Sequence, residues 1–432
     1  MVPSLRKIWK HEFFQNVATL ISGTSFAQAF SVAIYVVLSR IYAEDDFGVF
    51  GLYMSILNIV VIFSTARYDQ AILLPKSDKD SMSLLGLSGL ISVGVSLLLL
   101  LLVVLLNPLI CRWLGSEAIS TWLYFVPLST LLVAWFTILK NHANREKKFR
   151  LIAGANIGQS VGNSLTKLGL GFWVAGAAGL IIGVVSGQLL GTLVFFAFLW
   201  PTLRRQVSRI KLSDMRWLGK QYSLFPKFNL WQALINNLSA AFPVFIFTSY
   251  YSTTIAGYYT FGFMVLHRPV QLMVTSFYQV LYQRFVEKTH NKQSILPEII
   301  LFYRRGAQLM LLPFILAGIF APEIFSFVFG ENWTEAGMYA RYMLPWIFVG
   351  GLAMPLSFMP DMYRAQKTAM IIDGIRLIIR LLGLLIGVTL NNIYLALALY
   401  SGASTVMIAV NLFWYIQLAK KLPPQDPSEA EK

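Results

Sequence analysis

Apolar residues run along this chain in blocks of about twenty, separated by shorter polar stretches. A helix that crosses a bilayer needs ~20 mostly apolar residues. Blocks of that kind lie near 16–38, 47–66, 83–106, 119–139, 151–173, 177–199, 228–248, 257–282, 306–329, 341–360, 369–390 and 393–417. They predict an all-α polytopic membrane protein with about twelve transmembrane helices. The clearest block, Ser83 to Leu106, contains no charge. The first is too long for a cleaved signal peptide, and no small-residue cleavage site follows it before Arg40.

The segments between the blocks sort by charge. Twenty-seven Lys and Arg fall in one alternating set, which includes both termini. Three, Arg40, Arg112 and Arg341, fall in the other. Cytoplasmic segments of membrane proteins collect Lys and Arg. The asymmetry therefore places both termini in the cytoplasm and supports an even number of spans. The loop 200–227 is the most basic, and it leaves six spans on either side. This predicts a six-helix bundle over 1–210, a second over 211–422, and a disordered cytoplasmic tail over 423–432.

The two halves echo each other faintly. Glu44-Asp45-Asp46-Phe47-Gly48-Val49-Phe50 opens the second span, and Ser252-Thr253-Thr254-Ile255-Ala256-Gly257-Tyr258-Tyr259 opens the eighth. Each is a short polar turn, then glycine and aromatics. Halves of equal span number and orientation form a parallel repeat, and transporters of that design place substrate near the interface of the repeats. A membrane interface also favours the same polar-aromatic mixture.

Polar residues inside the blocks carry the functional signal, because an intramembrane charge is costly and faces a protein or aqueous interior. Arg268 is the deepest. Eleven residues beyond Gly257, at ~1.5 Å per residue, put it about 16 Å into its helix. The fifth span carries Asn156, Ser160, Asn163 and Lys167 on one face. Polar helix packing accounts for the Asn and Ser, but less well for the Lys. The eleventh span carries Asp373, Arg376 and Arg380 on one face, where Asp373 can neutralise Arg376 and leave Arg380 free. Snorkelling to the headgroups is the structural alternative for these three. Arg67 and Asp69 close the second span at its cytoplasmic boundary, where an interfacial anchor is an equal alternative to the mouth of a cavity. Asn229, Gln232 and Asn236 share a face of the seventh, where polar packing is an equal alternative. The cations Arg268, Lys167, Arg380, Arg376 and Arg67 would make a central cavity that attracts an anion such as phosphate or pyrophosphate.

Composition agrees. Of 432 residues, 56% are hydrophobic and 13% charged, against ~25% charged in soluble domains. The net charge of +15 would suggest nucleic-acid binding in a soluble protein. Here the loop cations account for it, so no nucleic-acid partner is expected. Cys111 is the single cysteine and the four histidines are scattered, so no metal or cofactor site is expected. No phosphate-cradling G-x-x-x-x-G-K-[ST] loop is present, which argues against ATP hydrolysis. Paired carboxylates and nucleophile–base pairs are also missing, so an enzyme is not expected.

Two regions resemble a known family. Leu38-Ser39-Arg40-Ile41-Tyr42-Ala43-Glu44-Asp45-Asp46-Phe47-Gly48-Val49-Phe50 and Arg67-Tyr68-Asp69-Gln70-Ala71-Ile72-Leu73-Leu74-Pro75 resemble the opening of bacterial polysaccharide biosynthesis proteins of the oligosaccharide flippase family. Ala256-Gly257-Tyr258-Tyr259, followed by Arg268-Pro269, resembles the start of that family's second half. The resemblance extends to the multidrug/oligosaccharidyl-lipid/polysaccharide exporter superfamily. It implies two six-helix bundles forming a V around a central cavity. It also implies alternating-access movement of an undecaprenyl-pyrophosphate-linked oligosaccharide across the bacterial inner membrane, as in O-antigen and lipopolysaccharide assembly. Partners would be that lipid-linked substrate, the bilayer and other polysaccharide-assembly membrane proteins. Arg268 matches by span and depth an essential cavity arginine of the related lipid II flippases. Proton or sodium coupling would fall to Asp69 or Asp373. The competing readings are a cation-coupled multidrug exporter of the same fold, which would want acids in its cavity, and a polytopic lipid-linked sugar polymerase or ligase, which would want a large outward loop.

Overall fold

A computed structural model of the chain describes residues 34–174, 176–207, 210–290, 293–363 and 365–421. Every regular element among them is helical. The end of the first predicted span forms α1 (34–41). The rest of that span, 16–33, and the tail 423–432 lie outside the described residues. Then follow α2 (Glu44–Val60), the single turn α3 (Tyr68–Ala71), α4 (Asp78–Leu114), the turn α5 (Ser120–Leu123), α6 (Phe125–Arg145), α7 (Phe149–Trp173) and α8 (Ala178–Val207). A short α9 (Leu212–Gln221) and a π turn (Phe225–Asn229) lead into α10 (Leu230–Tyr250). The chain continues through α11 (Thr253–His290), α12 (Leu296–Phe329), α13 (Thr334–Ala353), the turn α14 (Met359–Met362), α15 (Gln366–Thr389) and α16 (Ile393–Ala419). Eleven of the twelve predicted spans therefore coincide with described helices.

Lipid offers no hydrogen-bond partner to the backbone, so spanning segments must satisfy it internally, and helices do this. Among the described residues, seven helical stretches are long and apolar enough to cross a membrane, those built on α4, α6, α8, α10, α12, α13 and α16. Helices α7, α11 and α15 are not among the seven, and they carry Asn156, Ser160, Asn163, Lys167, Arg268, Asp373, Arg376 and Arg380. Helix α4 shows how the ends are set. Asp78 and Asp80 complement the dipole in its first turn, Arg112 in its last, and Gly115 ends it in a left-handed conformation. Its middle presents Leu97 and Leu105, 62% and 65% exposed, to what must be lipid.

Residues 1–257 and 258–432 form two compact units. In the first, α7 and α8 pack through glycines. A Cβ on Gly187 would lie 2.6 Å from the Gln159 carbonyl oxygen, and one on Gly183 would lie 2.5 Å from Lys167 Cγ. Small residues let membrane helices approach closely, so dispersion can hold them where the hydrophobic effect is absent. In the second unit, α15 and α16 form a comparable hairpin, with Gly387 against the Ala396 backbone. Each unit also has an apolar cluster at the Lys/Arg-rich ends of its helices. Ile72, Leu84, Ile138, Leu139 and Phe195 belong to one. Leu281, Phe285, Ile299, Phe358 and Met359 belong to the other. The amphipathic α9 lies on α4, burying Met215 and Leu218 and exposing Trp217. It is fastened by the ion pair Lys79–Asp214 (2.8 Å) and by Tyr68 Oη donating to the Gly219 carbonyl (2.9 Å).

Gly187→Ala should destabilise the protein by about 1–3 kcal/mol, the usual cost of overpacking. Gly169→Ala, where an added Cβ meets nothing within 4 Å, should be neutral. Thermal unfolding in nanodiscs compares the two, and equal midpoints would mean that the α7–α8 seam is not tight at Gly187.

Candidate functional site

The five predicted cations occupy different surroundings. Lys167 is 6% exposed. Its ammonium sits 4.7 Å from the centroid of the Phe50 ring on α2, and its carbonyl accepts from Tyr42 Oη at 2.6 Å. Cation–π contact and close packing thus enclose the charge within the first unit. Asn163, one turn before it, lies against Gly183 and Gly187, so both residues belong to the α7–α8 seam. Asn156 and Ser160 continue the same face, half-buried.

Arg67 and Asp69 lie beyond the end of α2, where the chain leaves the helix in successive turns. Ala66 and Arg67 both have positive φ, 47° and 65°. Left-handed backbone costs a non-glycine residue roughly 1–2 kcal/mol, so this pair is strained. Asp69 is buried, and two donors hold it. Thr65 Oγ1 donates to its carboxylate at 2.5 Å, and Asn141 Nδ2 donates to its main-chain carbonyl at 2.9 Å. Arg67 is half-buried, and its Nε is enclosed without a hydrogen-bond partner. Asn229, in the π turn, donates to Gln70 at 3.5 Å. Gln232 and Asn236 are half-buried on α10.

In the second unit, Arg376 donates to Asp373 at 2.7 Å, the local neutralisation expected from their spacing. Arg380 is 7% exposed and is held rather than free. Its Nε donates to Ser404 Oγ at 2.6 Å, and its guanidinium lies 5.5 Å from the Trp346 ring and 5.0 Å from the Tyr400 ring. Trp346, Tyr400 and Ser404 come from α13 and α16, and nothing in the sequence near Arg380 points to them. Arg268 differs from the other four cations, because it is exposed on α11. Beside it, His267 stacks on Phe263 (4.9 Å), which stacks on Trp346 (5.8 Å). The four-residue spacing of Tyr259, Phe263 and His267 is the sequence signal that could have revealed this aromatic strip.

Sequence reasoning also missed a cavity of about 660 Å³ at the Lys/Arg-rich end of the first unit. Lys76, Asp78, His142 and Arg145 line it. Arg145 donates to the Pro75 carbonyl (2.5 Å) and to Asp78 (3.0 Å), and so ties α6 to the start of α4. No group of three or more His, Cys, Asp or Glu among the described residues is placed to hold a metal ion.

The first unit thus holds the enclosed Lys167 and the strained turn at Arg67, and the second holds the ion-paired Arg376, the enclosed Arg380 and the exposed Arg268. The chain belongs to a family of polysaccharide biosynthesis proteins, whose model matches residues 37–337. Among curated proteins no sequence matches. Several solved structures share its fold. An inward-facing multidrug resistance MATE family transporter of the MOP superfamily aligns with a TM-score of 0.67 at 14% identity, covering 92% of this chain and 95% of that one. The lipid II flippase MurJ, in an inward closed conformation, aligns with a TM-score of 0.64 at 14% identity over 92% and 90%. The Vibrio cholerae MATE transporter VcmN, in its bent form, gives 0.57 at 16% identity over 94% and 98%. The protein is thus a multi-pass membrane protein with the all-helical fold of these structures.

Asp373→Asn leaves the Arg376 guanidinium without its counter-charge in a largely buried setting. It should cost about 3 kcal/mol, and Asp373→Asn/Arg376→Gln should recover part of that loss. Unfolding midpoints of both variants in nanodiscs measure this coupling, which is absent if the double variant is no more stable than the single.

Proposed function

We propose that this protein is a flippase that moves undecaprenyl-pyrophosphate-linked oligosaccharide units across the bacterial inner membrane, with both termini in the cytoplasm. The observation that carries the reading is Arg268, an exposed cation on α11 in a chain of this family. An arginine in low dielectric is matched to a pyrophosphate by charge and by bidentate geometry. The head group would pass through a central cavity between two six-helix bundles, 1–210 and 211–422, by alternating access. Arg67 would supply further positive potential at its walls, and Arg376 would face it as an ion pair with Asp373. Lys167 and Arg380 are enclosed, so their part would be to set the local field and hold the helices that flank the path. Asn156, Ser160, Asn163, Asn229, Gln232 and Asn236 would line the path with hydrogen-bonding groups. Proton or sodium coupling would involve Asp69 or Asp373. The likeness in fold to a multidrug resistance MATE family transporter favours a second reading, a cation-coupled multidrug exporter. The basic balance of the intramembrane charges argues against it, because such a cavity repels cations.

Reconstitution into proteoliposomes separates the two readings. A fluorescent lipid-linked oligosaccharide should reach the opposite leaflet, while an organic cation should not accumulate. Arg268→Ala should lower the flipping rate at least tenfold, Arg268→Lys less so, with membrane insertion unchanged in both. Wild-type flipping by Arg268→Ala would remove the assigned role from this residue.

A further inference from the structure

The α7–α8 pair changes character along its length. At Gly162, Gly183 and Gly187 the helices touch so closely that no Cβ fits between them. Towards the Lys/Arg-rich end Ile152 and Ala155 still pack with Phe195 and Leu199, but the outer side of the seam is open. A Cβ on Gly154 would meet nothing within 4 Å, and one on Gly158 would reach only Val194, at 3.4 Å. On that outer side lies a groove of about 510 Å³, within the ~300–1,000 Å³ of typical ligand sites. Its floor is Gly154, and its walls are Val194 and Phe198. Phe198 is 69% exposed, which marks this side of α8 as facing lipid.

The mouth of the groove is basic. Lys147, Lys148 and Arg150 line it together, at the start of α7. Glu146 pairs with Lys148 at 2.6 Å, which leaves an excess of positive charge at the rim. Lys147 has φ +56°, a left-handed conformation that lysine adopts only at a cost. Backbone strain of this kind at a loop position is a pointer to function. The α7 N-terminus adds its partial positive charge in the same place.

We infer that this groove is a binding site for an anionic glycerophospholipid of the cytoplasmic leaflet. Its phosphate would rest on Lys147, Lys148 and Arg150, and one acyl chain would lie along Gly154 between Val194 and Phe198. The inference goes beyond the transport reading and needs only the orientation set by the loop cations. Charge and shape argue for the same occupant. The basic rim lies at the headgroup level, where basic pockets between helices on the cytoplasmic side take anionic headgroups. The apolar trough below it opens on the side from which an acyl chain arrives.

Native mass spectrometry of the full-length protein, titrated with phosphatidylglycerol or phosphatidylethanolamine, tests the site. Wild type should retain one phosphatidylglycerol at least fivefold more tightly than phosphatidylethanolamine. Lys147→Asn/Arg150→Gln removes two charges while Asn tolerates the left-handed turn, and it should abolish that preference. Gly154→Leu fills the trough without touching charge and should weaken binding at least fivefold. Gly154→Val is a smaller filler should the Leu variant not elute as a single species. Lys211→Gln/Lys220→Gln, which removes exposed cations from α9 and the residue before it, should leave binding unchanged. The inference is overturned by equal retention of the two lipids, by wild-type binding in the folded Gly154 variants, or by equal loss in the α9 variant. It is also overturned if undecaprenyl pyrophosphate displaces phosphatidylglycerol at equal concentration, because the groove would then belong to the substrate lipid.

Discussion

A charge inside hydrocarbon must be enclosed, paired or led to an aqueous surface, and this constraint organises the chain. Lys167 is covered by the Phe50 ring and by the close approach of α8. Arg380 is held by Ser404 between two aromatic faces, and Arg376 is held by Asp373. These arrangements need helices that pass within touching distance, which in turn explains the glycines beside them. A leucine at Gly183 would displace the lysine side chain, and one at Gly187 would push α7 from α8. The glycine seam and the buried cation are therefore one design.

The same constraint distributes the forces along each helix. In the hydrocarbon region, lipid tails are as apolar as leucine, so helices are held there by close packing and by polar contacts. At the Lys/Arg-rich ends water is available, and the hydrophobic effect operates again. The apolar clusters around Leu84 and Phe195 in one unit, and around Phe285 and Phe358 in the other, sit at those ends. Each unit is thus gathered at one end by apolar burial and stitched through the membrane by small residues and enclosed charge. On the outer side of the α7–α8 seam, at the exposed Gly154, a groove opens.

Much of this was legible in the chain as written. Spans follow from hydropathy because lipid selects for it, and the helices coincide with the predicted blocks. The pairing of Asp373 with Arg376 followed from a spacing of three, because neighbours on a helix surface are set by helical geometry alone. Arg380 shows the limit of such reasoning. Its local sequence suggested a free cation, but its partners Trp346 and Ser404 lie 34 residues before it and 24 after it on other helices. Asn141, which holds Asp69, was hidden for the same reason. The strained pair Ala66–Arg67 carries no glycine to advertise a left-handed turn.

The sequence by itself determined that the chain is a bundle of membrane helices and which segments between them are rich in Lys and Arg. Both properties are summed over many residues and survive local error. It also determined which polar residues share a helical face. Only the tertiary structure decided which of those faces meet a neighbour and which stay exposed. Lys167 and Arg268 are each a single cation in an apolar run, yet one is enclosed and the other is not. The difference arises from which helix passes alongside, and that depends on packing between residues far apart in the chain.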